Sequence, residues 1–195
     1  MTPTTKLEAV NIMLSSIGDA PVNSLTSGLV DAEMAETILD ATSRDVQSQG
    51  WHFNTEINFT LAQIANGEVP IPSNCLKVDQ IAGQSDRDLI QRGRKLYDRN
   101  NHTFIIGENV KVDMVLLLDF EELPEAARRF VTLKAARVFQ DRAVGSAELH
   151  GFQEKDEMRA WVEMRDAEAD TADYSIFDNY GVARVLDRSI SHKIN

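Results

Sequence analysis

The chain has 195 residues, 43% of them hydrophobic and 26% charged, which suits one globular domain, or a domain plus an appendage, with a sizeable core. Its net charge of −11 excludes general nucleic-acid binding, because proteins that grip phosphates carry a basic footprint. The single cysteine, Cys75, excludes an intramolecular disulfide, and with neither a signal-type apolar stretch nor a run of about 18 apolar residues, a soluble product without a membrane span is expected.

In chain order, Thr4 or Thr5 can cap a first helix over 4–17, in which Leu7, Val10, Leu14 and Ile17 repeat at spacings of three and four. Gly18 ends it. A second helix over 28–50 carries Met34, Ile38, Leu39 and Val46 and stops at Gly50. Two helices joined by a short link predict an antiparallel pair.

At Trp51 the period changes. Trp51, Phe53, Ile57, Phe59 and Leu61 share the odd positions, and His52, Asn54, Glu56, Asn58 and Thr60 the even ones, the pattern of a half-buried strand. The aromatic row reads either as a ligand platform or as core, and the periodicity favours core. Further strands are expected at Leu76–Ile81, Leu89–Gln91, Lys95–Asp98 and Asn109–Asp119, giving a strand region over 51–120. In the last of these, Val115 and Leu117 make both faces apolar, as in a central strand.

Helical spacing returns at Pro124, where Phe130, Val131, Ala135, Val138 and Phe139 make a stripe over 124–144. Ser146 is a good cap for a fourth helix over 146–172 that includes Phe152, Trp161 and Met164. From Ser146 to Asp173, nine acids face three bases. Trp51, Phe53, Phe59, Phe130, Phe139 and Trp161 are the expected core aromatics.

The last stretch is apolar, nearly neutral and irregular. Tyr174, Phe177, Tyr180, Val185 and Leu186, with Arg184 and Arg188, predict a docking arm over 174–195 on a single α+β domain over 1–173.

Little in the sequence carries chemistry. The glycines lack the spacing of phosphate loops, and His52, His102, His150 and His192 stand apart from one another and from Cys75. No catalytic residue, cofactor or metal ligand is assigned. Paired acids, Glu121 with Glu122 or Asp86, Asp88 and Asp98, keep open the alternative of a polysaccharide-degrading glycoside hydrolase, alone or as a second activity. The group Arg87, Arg92, Arg94, Lys95 and Arg99 beside Tyr97 reads as a polyanion patch or, preferably, as a partner of the acidic helix in the same or a neighbouring subunit.

Two segments carry a resemblance: SQGWHFNTE, entering the strands, and VDMVLLLDFEELPEAARRFVTLKAARVFQDRAVG, with Phe120, Leu123, Pro124, Glu125, Ala136, Phe139 and Arg142 in place. Their order resembles the tail tubular protein A family, the tail adaptor or gatekeeper proteins of short-tailed podophages. That resemblance implies a helical bundle of about four helices on an antiparallel β-sheet. It also implies a homo-oligomer, dodecameric when assembled, between the portal protein and the tail nozzle protein (tail tubular protein B). Tail fibres would attach nearby and DNA would pass the channel without specific binding. The implied place is the virion tail, after assembly in the host cytoplasm.

Overall fold

The computed structural model describes residues 2–81 and 87–172. Asp86 and the arm expected over 174–195 lie outside them. The described chain is α+β, in the order α1 (Lys6–Ser16), α2 (Val30–Gln47), β1 (Thr55–Leu61), β2 (Cys75–Gln80), β3 (Leu89–Arg92), β4 (Lys95–Asp98), β5 (Val110–Leu116), α3 (Glu125–Ala143) and α4 (Ala147–Ala172). Short 3-10 turns cover His52–Asn54 and Phe120–Glu122.

Local chemistry sets the ends. Thr5 Oγ1 accepts from the Glu8 amide at 3.2 Å while Glu8 Oε2 accepts from the Thr5 amide at 2.8 Å, which satisfies two otherwise orphaned donors of α1. Ser146 Oγ accepts from the Leu149 amide at 3.3 Å and starts α4. Just beyond α2, Gly50 has φ +77°, and a Cβ there would lie 3.0 Å from Val115 Cγ2. Only glycine allows both that left-handed turn and the close approach of the helix end to β5.

Helices α1, α2 and α3 pack on one another, and α4 lies principally on α3. Val10, Met13, Leu14, Leu39, Val46, Phe130 and Phe139 fill their core, joined by Trp51, Phe120 and Leu123 from the connections. Burial of each large side chain contributes about 1.5–3 kcal/mol. Strand β5 is central in an antiparallel sheet of order β1-β5-β2, and β3 and β4 form a separate antiparallel pair. Val110, Val112 and Met114 of β5 close a second core with Leu61, Val69, Ile71, Leu89 and Leu96.

The structure corrects the single aromatic row read across Trp51–Leu61. Trp51–Asn54 is a turn, not strand, because Asn54 Oδ1 accepts from the Trp51 amide at 2.8 Å. Trp51 and Phe53 therefore join the helical core, while Leu61 joins the sheet core. Phe59, expected in the core, is 42% exposed. It pairs with Val112 on the core-facing side of β1, which is an edge strand of the three-stranded sheet. A bulge between Glu56 and Phe59, where Asn58 has φ 58°, breaks the alternation.

Candidate interaction surfaces

The two cores meet at a small polar joint. Gln47, fully buried, donates from Nε2 to the Leu118 carbonyl at 3.0 Å and accepts at Oε1 from the Leu118 amide at 2.8 Å. Asn54 Nδ2 donates to the Gln47 carbonyl at 2.9 Å and the Leu116 carbonyl at 2.8 Å. Trp51 Nε1 donates to the Val46 carbonyl at 2.7 Å, and the indole meets Trp161 edge-on at 5.5 Å and stacks on Phe53 at 6.4 Å. These side chains fasten the end of α2 to the end of β5, so the segment SQGWHFNTE holds the molecule together rather than offering a ligand platform.

Trp51, Phe130 and Phe139 are buried, and Phe53 and Trp161 are partly buried against the same core. Tyr174, Phe177, Tyr180, Arg184, Val185, Leu186 and Arg188 lie outside the described residues.

The acids singled out for hydrolase chemistry have structural duties. Glu121 Oε1 accepts from the Lys6 amide at 3.1 Å, and Glu122 Oε2 accepts from the Asp119 amide at 3.0 Å. Asp98 is enclosed. Its carboxylate accepts from the Asn101 side chain at 2.8 Å and from the Asn100 and Asn101 amides at 2.9 and 3.1 Å. The Asn101 amide group first, with those backbone donors and Arg87, outweighs desolvation and holds this carboxyl below the usual range. A proton-donating acid needs the opposite shift. Among the described residues, no group of three or more His, Cys, Asp or Glu could hold a metal ion.

The basic group does not reach the acidic helix of its own chain. Lys95 pairs with Glu68 at 2.6 Å and Arg99 with Asp88 at 3.4 Å, and Arg87 lies 3.9 Å from Asp98 and from Glu108. The Arg92 guanidinium lies 3.6 Å over the Tyr97 ring, which leaves that aromatic face covered.

Charge is divided between the two halves. Residues 55–118 hold eight acids and seven bases, while 1–54 with 119–172 hold twenty acids and ten bases. Both halves also expose large apolar side chains. On β1, Ile57 is 69% exposed beside Phe59, and on α4, Met158 and Val162 are 60% and 50% exposed. A groove of about 400 Å³ between α3, α4 and the end of α2 is lined by Gln49, Phe130, Lys134, Arg137, Met158 and Trp161.

Sequence reasoning missed the joint residues Gln47 and Asn54 and the outer pair Met158 and Val162. A buried amide leaves no periodic signal. Met158 and Val162, four residues apart, stand out of phase with Ala160 and Met164, and that mismatch was legible. No helix among the described residues is long and apolar enough to cross a membrane.

A family described as "Tail tubular protein" matches residues 7–174, which includes both halves and the joint. The chain is similar to the protein named "Tail tubular protein A" of Klebsiella phage KP34, at 31% identity over 126 residues, covering 65% of this chain and 66% of that protein. With the family match running through every element from α1 to α4, the chain belongs to the tail tubular protein family and has a structural role in a bacteriophage tail.

Proposed function

We propose that the chain is a subunit of a dodecameric adaptor ring that joins the portal to the tail nozzle around the DNA channel and contributes to tail-fibre attachment. The observation that carries this reading is the division of charge, with the helical half holding twice as many acids as bases. An acidic wall repels a polyanion and lets DNA slide rather than stick. In a ring built this way the helices face the channel, and the sheet half, nearly balanced in charge, is free for protein contacts. A nozzle protein and fibres are partners of the assembled ring, which forms in the host cytoplasm and remains in the virion tail.

Electron microscopy of the full chain with and without portal tests the proposal. The expected image is a twelve-fold ring seated on portal. A chain that stays monomeric and unbound beside portal overturns it.

A further inference from the structure

One side chain in the helical half holds three separate stretches of chain. Arg128, in the first turn of α3, is buried. Each of its three guanidinium nitrogens donates to a backbone carbonyl: Nε to Leu123 at 2.7 Å, Nη1 to Thr4 at 2.8 Å and Nη2 to Glu121. Glu121 and Leu123 belong to the link between β5 and α3, whereas Thr4 lies ahead of α1. A guanidinium is a flat, rigid fork, so these three carbonyls are fixed relative to one another. Loss of one acceptor leaves a desolvated N–H without a partner on a buried cation. The fork then has to shift, and its displacement is passed to the carbonyls that it still holds.

The chain ahead of α1 is pinned beside this fork at further points. Glu125 accepts at Oε2 from the Thr4 amide at 2.8 Å and at Oε1 from the Thr4 hydroxyl at 2.6 Å, and Glu121 accepts from the Lys6 amide at 3.1 Å. Helix α1 needs none of these bonds in order to start, since the Thr5 and Glu8 pair already caps it. What they add is a tie from the start of α1 to the β5–α3 link and to α3.

That link also carries the sheet half. Gln47 grips its upstream end at Leu118, and Arg128 grips its downstream end at Glu121 and Leu123. Between the two grips, Phe120–Glu122 is a 3-10 turn that Glu122 closes by accepting from the Asp119 amide at 3.0 Å. So short and bonded a turn transmits a displacement instead of absorbing it.

We infer that Thr4–Lys6 form a strap that locks the β5–α3 link through Arg128 and is thereby coupled to the Gln47 joint. Pulling the strap from α3 loosens the seat of the sheet half on the helices. By linkage, a load that shifts the sheet half loosens the strap. The coupling lies within one subunit and stands independently of the ring reading.

Residue-resolved hydrogen–deuterium exchange on the full chain tests it. Arg128 stays in place, because its removal would strand three carbonyls and endanger folding. Glu125→Ala removes both side-chain acceptors of Thr4, and Thr4→Val removes the hydroxyl bond while leaving α3 untouched. Both variants are expected to speed exchange of the Leu118 amide, by about tenfold for Glu125→Ala. The Ile38 and Ala136 amides, in the middle of α2 and α3, are expected to keep wild-type rates. A Leu118 amide unchanged in either variant overturns the strap; a change in Glu125→Ala alone assigns the effect to the lost acid at the start of α3. Equal acceleration of all three amides also overturns it, as a loss of global stability.

Discussion

The side chain of Gln47 exchanges two hydrogen bonds with the backbone of Leu118, 3.0 Å to its carbonyl and 2.8 Å from its amide. One buried amide thus mimics a strand partner for β5 as it leaves the sheet. Gln47→Leu removes both bonds and leaves the Leu118 donor and acceptor without partners, at an expected cost of about 2–4 kcal/mol. Urea unfolding followed by tryptophan fluorescence reads the change, and a loss below about 0.5 kcal/mol would sink the assignment.

Trp51 and Phe59 lie eight residues apart in one apolar row and have opposite fates. Trp51 is 6% exposed and bonded through Nε1 to the Val46 carbonyl, so Trp51→Ala should cost about 3–5 kcal/mol. Phe59→Ala, at an exposed edge position, should cost under about 1 kcal/mol in the isolated chain. Thermal melts of the two variants check the contrast, and equal losses would refute it.

The row explains how much of the fold the sequence revealed. Helix spacing and caps placed all four helices within three residues at each end, and the turn chemistry around Arg92–Lys95 placed β3 and β4 within one. Alternation misled because it records only that successive side chains point to opposite sides, not which core lies on each side. Asn54 folds the chain back onto Trp51 before β1 begins, and the Asn58 bulge resets the faces within it. Two asparagines inside an aromatic run were the available signal. The contact surfaces were less legible, since an exposed Met158 or Ile57 differs from a core residue only in what the fold leaves uncovered.

Asp98 gives a pH signature. Its carboxyl is lowered in the folded chain, by the Asn101 side chain first, so the unfolded chain binds the extra proton. The stability it contributes is present above the unfolded value of about 3.9 and is lost as pH falls through the folded value. Asp98→Asn abolishes that dependence. The difference in stability between wild type and variant should stay constant above about pH 4 and shrink below it. A difference that grows on acidification, measured by urea titration across that range, would contradict the assignment.

Removing residues 174–195 tests the proposed arm. The truncated chain should keep the wild-type melting temperature, because both described cores lie before residue 173, and should lose its docking on portal. Co-sedimentation with portal and a thermal melt read the two outcomes. Loss of folding would overturn the arm, and so would undiminished docking.

Thr55 pairs with Val115, so the polypeptide enters and leaves the sheet half through the same doorway. Everything between those residues is topologically a cassette inserted into a helical frame, with its ends already side by side. Such a cassette can be lengthened, redecorated or exchanged without rethreading the frame. Tail proteins can thereby vary what they present to their surroundings while keeping one scaffold, provided that the Gln47 and Asn54 latch at the doorway is retained.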